Sequence, residues 1–182
     1  MNQACAPNNV DIRALALSNA HMSGSEPLAG YARLVAETLP DGGPALLRWE
    51  ARCYTRADAS GALQPWMHLT VSVSLLLTCQ RCLGAVAEPV AVDRQFRFVA
   101  NEDLAELEDE EADEDVLALD KQFKLRDLIE DEVLMAGPLV PRHEACPGNV
   151  QLSAVDPDFE VALAAKPKPF DALAALRNTP KQ

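Results

Sequence analysis

The sequence predicts an α+β fold, a single domain in which an antiparallel β-sheet of three to four strands is combined with one main helix. Two long segments in which apolar and polar residues alternate, Trp66–Thr78 and Val86–Val99, are separated by a short turn, which is typical of an antiparallel hairpin. A third segment, Leu47–Thr55, alternates in the same way. Leu125–Ala136 instead repeats its apolar residues at helical spacing, which predicts the main helix.

The composition is that of one globular domain. At 182 residues, 48% of them hydrophobic, the chain is long enough for one sizeable core and too apolar for wholesale disorder. We expect a single domain over residues 1–182, with its core at residues 10–146 and a flexible acidic loop at residues 102–115, where a frayed helix is the alternative. Pro147–Pro169 is sparse in large apolar side chains, so residues 147–182 are predicted to form an extended tail with a short C-terminal helix at Phe170–Arg177.

The N-terminal part of the chain carries weaker patterns. Val10–Leu17 is typical of a short helix, whereas Asn19–Gly30 is polar and rich in turn-forming residues. Tyr31–Leu39 is predicted to be a strand, which the turn residues Pro40-Asp41-Gly42-Gly43 close. The strand Leu47–Thr55 follows this turn.

The two hairpin strands have a clear inward face. Their inward side chains are expected to be Met67, Leu69, Val71, Val73, Leu75 and Leu77 in the first strand, and Val86, Val90, Val92, Phe96 and Phe98 in the second. Pro89 indicates an edge or a bulge, because proline lacks the N–H that a central strand needs. Val116–Leu119 is predicted to be a further short strand before the main helix.

The main helix leads into a proline-bearing segment. Its apolar stripe consists of Leu125, Leu128, Ile129, Val133 and Ala136. Gly137-Pro138 ends the helix, because proline cannot donate the next backbone N–H and disfavours helical dihedrals in the residue before it. Pro138 and Pro141 then hold an extended segment that leads to His143 and Cys146.

Much of the negative charge lies in one segment. The net charge of the chain is −12, and Glu102–Asp115 contains ten acidic residues and no basic one. The rest of the chain holds 18 acidic and 16 basic residues, a net charge of about −2. An autonomous nucleic-acid binder needs a basic face to displace counterions, and this charge distribution does not indicate one. The ten acidic residues are Glu102, Asp103, Glu106, Glu108, Asp109, Glu110, Glu111, Asp113, Glu114 and Asp115.

The sequence shows neither a secretory signal nor a membrane span. Met1–Asn9 is polar and lacks the apolar region of a secretory signal. The longest apolar run, Val71–Cys79, is interrupted by hydroxyl residues and is too short to span a bilayer. We therefore expect a soluble intracellular protein without membrane contact.

Four residues have the spacing of a metal site. Cys79 and Cys82 form a C-x2-C turn between the hairpin strands, and His143 and Cys146 repeat that spacing about sixty residues later. Tetrahedral zinc is bound by cysteine and histidine side chains at such spacings. If the four side chains meet, they predict one structural zinc ion, which in zinc-finger peptides stabilises the folded state by about 10 kcal/mol or more.

Other interpretations of these residues remain open. Cys79 and Cys82 could be a thiol redox pair, although such a pair normally places its first cysteine at a helix N-terminus, where the thiol pKa falls. His143 could be a loop histidine bonded to backbone, and Cys146 an incidental thiol. Cys53 lies on the apolar face of a predicted strand and is expected to be a small buried side chain. The alternative function is therefore that of a zinc-binding or thiol redox protein.

No motif in the sequence indicates catalysis. The chain has three histidines, no H-E-x-x-H, no glycine-rich phosphate loop and no G-x-S-x-G. A closed site with four protein ligands would leave no position for a reactive water. Glu130, Asp131 and Glu132 are expected to form the solvated face of the main helix. We therefore expect a protein that is not an enzyme.

Four motifs follow one another over most of the chain: VDIRALA, LTCQRCL, DLIEDEVLMAGPLVPRHEAC and KPKPFDALAALR. Their order resembles the YceD family, the large ribosomal RNA subunit accumulation proteins. The resemblance implies a cytoplasmic, non-enzymatic factor needed for synthesis, processing or stability of 23S ribosomal RNA. The matching positions are Cys79, Cys82, Glu130, Asp131, Glu132, Pro138, Pro141, His143, Cys146, Pro167, Pro169 and Phe170.

Charged residues suggest two ways in which such a factor could act. Residues 102–115 could imitate phosphate charge and bind a basic partner, either a large-subunit ribosomal protein or an assembly factor; the competing interpretation is a solubilising loop. Alternatively, Arg81 at the hairpin turn could contact ribosomal RNA directly, with Arg94, Arg97 and Arg142 nearby. The segment Phe170–Arg177 could fold on a partner or on its own core.

Overall fold

A computed structural model of the chain describes residues 8–58 and 60–148 and, beyond these, residues 154, 156, 158, 159, 161 and 164. The chain divides into two units, Met1–Cys146 and Pro147–Gln182, and the elements named below lie in the first. Pro167, Pro169 and the predicted helix Phe170–Arg177 lie outside the described residues. Within the described part of the chain, no helix is both long and apolar enough to cross a membrane.

A five-stranded sheet forms the centre of the first unit. Its strands are β1 (His21–Pro27), β2 (Leu46–Ala57), β3 (Leu63–Thr78), β4 (Ala85–Val99) and β5 (Asp115–Ala118), and they lie side by side in that order. Neighbouring strands from β1 to β4 are antiparallel, whereas β5 runs parallel to β4. The prediction of an antiparallel sheet of three to four strands is therefore wrong in the number of strands and, at β5, in direction.

Among the described residues, four α-helices accompany the sheet: α1 (Ile12–Leu17), α2 (Ala32–Glu37), α3 (Glu102–Asp109) and α4 (Leu125–Ala136). Short 3-10 turns lie at Leu28–Gly30 and Pro40–Gly42. The prediction of a single main helix is wrong. The α+β class itself is confirmed, and α4, with 12 residues, is the helix that the apolar stripe predicts.

One face of the sheet is buried against α1, α2 and α4. Ile12 of α1, Leu34 of α2 and Ile129 of α4 are fully buried and belong to the same apolar core as the inward side chains of the strands. The inward residues that the sequence predicts for the two hairpin strands are all buried. Each large apolar side chain buried in this way stabilises the folded state by about 1.5–3 kcal/mol.

The polar segment His21–Pro27 forms an edge strand that the sequence does not reveal. Met22 is the one buried side chain of the strand, so there is no apolar alternation to detect. Gly24 lies opposite Trp49 of β2, and a Cβ at Gly24 would lie 2.5 Å from the indole Nε1. Glycine at this position therefore leaves the space that the indole ring occupies.

The prediction of a strand at Tyr31–Leu39 is wrong, because Ala32–Glu37 forms α2. A side chain from α4 holds the start of this helix. The carboxylate of Glu130 accepts the backbone N–H of Arg33 at 2.7 Å and that of Leu34 at 3.2 Å. These are first-turn donors that have no partner within the helix. Since Glu130 comes 97 residues after Arg33, the local sequence could not indicate its effect.

The acidic segment is more ordered than the predicted loop. Glu102–Asp109 forms α3, which the side chain of Asn101 caps by accepting the N–H of Leu104 at 2.9 Å. Ala105 of this helix is buried with Val99 and Val116. Acidic residues in the first turn interact favourably with the helix dipole, which offsets part of their mutual repulsion. Of the two predicted conformations, a solvated loop or a frayed helix, the structure has a helix over Glu102–Asp109, and the loop is wrong for that part of the segment.

Candidate metal centre

The first two cysteines lie in the turn between β3 and β4, at residues 79–84, here called the hairpin tip. The N–H of Cys79 donates to the carbonyl of Gly84, and the N–H of Leu83 donates to the carbonyl of Cys79, both at 2.8 Å. Leu83 has a φ of 60°, the left-handed conformation that a tight turn requires. The hairpin tip is thus a hydrogen-bonded loop that holds both thiols on one side.

The second pair comes from the segment that follows α4. The helix ends at Gly137, whose backbone is extended, and the chain continues through Pro138 to Pro141. The N–H of Gln80 in the hairpin tip donates to the carbonyl of Pro141 at 2.8 Å. This backbone hydrogen bond places the residues after Pro141 next to the hairpin tip.

The four predicted ligands meet. Their donor atoms all lie within 4.8 Å of one another. The Sγ atoms of Cys79 and Cys146 are 3.9 Å apart, and Cys82 Sγ is 3.5 Å from Nδ1 of His143. Tetrahedral zinc with Zn–S bonds of about 2.3 Å requires sulfur atoms about 3.8 Å apart. The donor set and its spacing therefore fit a Cys3His metal site.

The orientation of His143 suits a metal ligand. Its Nε2 lies 3.0 Å from the carbonyl oxygen of Ala85, so Nε2 carries the proton that this hydrogen bond needs. Nδ1 then has a free lone pair directed toward Cys82 Sγ. A backbone carbonyl that fixes the tautomer of a histidine is the usual second partner of a metal-binding imidazole. The bond to backbone therefore does not compete with metal binding.

The electrostatic surroundings of the thiols favour a bound cation. Burial acts to raise the pKa of Cys79, but backbone N–H groups at Cys82, Arg81 and His143 and the Cys82 thiol lower it to about 5. Burial and the neighbouring sulfur atoms of Cys82 and Cys79 raise the pKa of Cys146. One thiolate is thus stabilised by the protein, whereas further ionisation is opposed by like charge. A divalent metal ion removes that opposition.

The position of Cys79 does not favour redox chemistry, and that of Cys53 does not favour metal binding. Cys79 lies between two strands and not at a helix N-terminus, which is the position typical of redox C-x2-C pairs. Cys53 is buried on β2, and burial raises the pKa of its thiol to about 12. The prediction that Cys53 is a buried small side chain is confirmed.

The interpretation of Glu130 and Glu132 as solvated surface is wrong. They are 7% and 6% exposed, respectively. Besides accepting the two N–H groups of α2, Glu130 accepts Nε of Arg33 at 3.0 Å. Glu132 lies 3.8 Å from Nε of Arg94, and burial raises the pKa of its carboxyl while Arg94 acts to lower it. Asp131 is exposed and pairs with Arg33. These acidic residues join α4 to α2 and to β4.

Four of the ten carboxylates in residues 102–115 bind within the fold. Glu108 and Glu114 both bind the guanidinium of Arg97, Asp115 binds that of Arg94, and Asp109 accepts the N–H of Val116. The other carboxylates are exposed and have no ion pair with any described residue. These six, here called the outward carboxylates, are Glu102, Asp103, Glu106, Glu110, Glu111 and Asp113.

The arginines named for RNA contact differ in availability. Arg94 and Arg97 are held by carboxylates, so the structure does not support them as phosphate-binding groups. Arg81 in the hairpin tip and Arg142 are exposed and form no ion pair with the residues that the structure describes. Pro138 is exposed and Pro141 half-buried beside the hairpin tip. Arg33, the partner of two α4 carboxylates, carries no signal in the sequence.

Comparison with known proteins adds one finding. A family model described as large ribosomal RNA subunit accumulation protein YceD matches residues 67–177, more than half of the chain. The match spans the hairpin tip, α4 and both pairs of candidate metal ligands. No curated protein and no solved structure gives a significant match.

Proposed function

The chain belongs to the YceD family of large ribosomal RNA subunit accumulation proteins, and from that premise we propose a specific role. The protein is a non-enzymatic cytoplasmic factor needed for synthesis, processing or stability of 23S ribosomal RNA. It acts through a basic protein of the large subunit, either a ribosomal protein or an assembly factor. The family description supports a ribosome-related role in general; the partner and the mode of action rest on the charge distribution.

The outward carboxylates are the observation that carries this proposal. They lie on α3 and on the turn before β5, where the ion pairs of Arg97 with Glu108 and Glu114 anchor the segment to the sheet. An ordered array of negative charges attracts a basic protein over distances of about 10 Å at ordinary salt, and the attraction weakens as salt rises. A purely solubilising segment would need no such anchoring.

Within this proposal, the Cys3His group binds one structural zinc ion. The distances between donor atoms and the tautomer of His143 support it. Four protein ligands close a tetrahedral site, so the metal would join the hairpin tip to the segment after α4 and would leave no position for water. The chemistry that the metal supplies is therefore structural.

The partner proposal is tested by pull-down of large-subunit proteins at low salt. Glu106, Glu110 and Glu111 are replaced together by glutamine, which removes three outward carboxylates with little change in shape. The matched control replaces Glu37, Asp120 and Glu144, exposed acidic residues elsewhere, by their amides. We expect the first variant to recover at least about tenfold less of the basic large-subunit proteins, and the control to recover as much as the wild type. Equal recovery by all three proteins would contradict the proposal.

The ribosome-related role is tested separately in cells. Depletion of the protein is expected to lower 23S relative to 16S ribosomal RNA, and re-expression of the control variant is expected to restore the ratio. The variant that lacks three outward carboxylates is expected to restore it poorly. An unchanged ratio on depletion would overturn the proposed role, whatever the pull-down shows.

A further inference from the structure

The sheet face opposite α1, α2 and α4, here called the open face, is exposed along β2. Arg48, Glu50 and Arg52 are exposed there, whereas Leu47, Trp49 and Ala51, which alternate with them, are buried. Ser72 and Ser74 of β3 are exposed on the same face. In the described part of the chain, this stretch of sheet is therefore accessible to a ligand.

Three arginines line the open face. Arg48, Arg52 and Arg56 recur at every fourth residue of β2 and therefore point to the same side of the sheet. With a rise of about 3.3 Å per residue, they form a row about 26 Å long. Proteins that bind single strands likewise use a positively charged groove that follows the phosphate backbone.

Hydroxyl groups flank the first of these arginines. In the strand register, Arg48 lies between Ser25 of β1 and Ser72 of β3. The next open-face row places Ser23 and Thr70 on either side of Glu50. A shallow cavity of about 570 Å³ is lined by these residues. A guanidinium group between hydroxyl donors is a typical set of contacts to a phosphate oxygen.

Two carboxylates on the strands of the open face, Glu50 and Asp93, already have partners. Glu50 lies 3.4 Å from Nε2 of His21 and 3.8 Å from Arg52. Asp93 of β4 lies 2.6 Å from Nε2 of His68. Neither Arg48 nor Arg56 has a carboxylate of a described residue at ion-pair distance. The positive charge of the face is least compensated at the Arg48 end of the row, because Arg56 shares a cavity with Glu108 and Glu114.

An aromatic pair lies at the far end of the row. The rings of Tyr54 and Trp66 are stacked, with centroids 6.4 Å apart and an interplanar angle of 19°. The guanidinium of Arg56 lies 4.6 Å from the centroid of the Trp66 ring. Trp66 is buried beneath these two side chains, whereas Tyr54 is half-buried and Arg56 exposed. Aromatic and guanidinium planes of this kind are surfaces on which unpaired bases stack in proteins that bind single strands.

We propose that the open face binds single-stranded RNA, with the arginine row on the phosphates and Tyr54 beneath a base. This inference rests on the proposed function for the identity of the nucleic acid and adds a direct contact to it. The acidic segment lies at one end of the row, where Glu108 and Glu114 line a cavity together with Arg56. The Arg48 end of the row is distant from it. Arg48 is on β2 and Arg97 on β4, with β3 between them. The β4 residue in register with Arg48 is Ala91, which lies six residues, or about 20 Å, from Arg97 along the strand.

The overall negative charge makes this contact a weak one by itself. A basic partner on the outward carboxylates would hold the factor close to RNA and raise the effective concentration of the strand at the open face. The outward carboxylates then bind the protein partner while the open face binds RNA. This resolves the conflict between a net charge of −12 and a role in RNA metabolism.

The test measures binding of a fluorescent 20-nucleotide uridine RNA by the full chain, using anisotropy at 50 and 200 mM salt. In the test variant Arg48, Arg52 and Arg56 are replaced by glutamine. In the matched control Arg13, Lys121 and Lys124, which lie at α1 and before α4, are replaced by glutamine, so that both variants lose three positive charges. We expect the test variant to bind at least about tenfold more weakly and its salt slope to fall by about two, as three lost phosphate contacts on a single strand predict.

Further arms distinguish binding at the open face from binding elsewhere on the chain. Arg81→Gln removes the exposed arginine of the hairpin tip and is expected to leave the affinity within about twofold of wild type. A duplex RNA is expected to bind less tightly, because paired bases cannot stack on Tyr54. Equal loss in the two triple variants, unchanged binding in the test variant, or no binding by wild type at 50 mM salt would overturn the inference. Binding of polyglutamate or of duplex RNA as tight as that of the uridine RNA would also overturn it. None of these results depends on the pull-down through the outward carboxylates, so the two proposals fail separately.

Discussion

The Sγ atom of Cys79 lies 3.9 Å from that of Cys146, which follows it by 67 residues in the chain. The first sulfur belongs to the hairpin tip and the second to the segment after α4. A metal ion bound by both sulfur atoms would close a long loop that contains β4, α3, β5 and α4. The predicted role of the Cys3His group in stability follows from this connection.

Purified protein is expected to contain one zinc ion per chain, and Cys79→Ser is expected to lose it. Removal of zinc with a chelator should lower Tm markedly in the wild type, because metal-binding free energy contributes to folding in such sites. Metal analysis by mass spectrometry and thermal unfolding measure the two effects. Cys53→Ala serves as the control, since Cys53 is buried on β2 and this variant is expected to keep its zinc. A metal-free wild type that readily forms a disulfide between Cys79 and Cys82 would favour the redox alternative.

Replacement of Glu130 by glutamine is expected to destabilise the protein by about 1.5–3 kcal/mol, the range for hydrogen bonds to a charged group. The variant weakens the contacts to the N–H groups of Arg33 and Leu34 and to the Arg33 guanidinium. Denaturant unfolding measures the free energy of unfolding. Asp131→Asn is the matched control, because an exposed ion pair contributes about 0–1 kcal/mol. A similar loss in both variants would show that Glu130 does not hold α2 in place.

The pH dependence of stability is expected to carry a contribution from Glu132. Burial raises its pKa in the folded protein, so above the ordinary glutamate pKa the folded state binds more protons than the unfolded state. The free energy of unfolding therefore falls as the pH rises through the interval between the two pKa values. Glu132→Gln should remove this decline and be at least as stable as wild type at pH 7. Parallel curves for wild type and variant between pH 4 and pH 8 would contradict the prediction.

Replacement of Arg97 by glutamine is expected to release α3 from the sheet. The arginine is largely buried and binds both Glu108 and Glu114, so its loss leaves two carboxylates without their cation. We expect faster amide hydrogen exchange in residues 102–116 and a destabilisation of about 1–3 kcal/mol. Arg94→Gln, which breaks a more exposed pair with Asp115, is the control and should leave exchange in α3 close to wild type. Unchanged exchange in the Arg97 variant would mean that the outward carboxylates are not held by this contact.

Much of the sheet could be predicted from the sequence. The strands β2, β3 and β4 each have one buried and one exposed face, and this alternation is visible in the order of apolar and polar residues. The apolar stripe of α4 and its termination at Gly137-Pro138 were equally local signals. The C-x2-C and H-x2-C spacings identified four candidate ligands, since each pair is set by the conformation of a short segment.

The tertiary structure decided what depends on contacts between distant segments. Edge strand β1 has a single buried side chain, so it could be identified only from its pairing with β2. Helix α2 begins where Glu130 accepts its first N–H groups, and that carboxylate is buried for the same reason. Arg97 anchors an acidic segment whose own sequence predicts repulsion between carboxylates and a solvated loop or a frayed helix.

In the candidate metal site and in the arginine row, too, some features follow from the sequence and others depend on the tertiary structure. The sequence by itself determined the ligand types and their spacing within each pair, because short-range geometry follows from neighbouring residues. Whether Cys79 and Cys82 meet His143 and Cys146 depended on the hydrogen bond from Gln80 to Pro141 and on the packing of α4 against the sheet. The row of Arg48, Arg52 and Arg56 became a surface only because α1, α2 and α4 all pack on the other face. Long-range contacts of this kind depend on the free energy of the whole fold, which no local pattern contains.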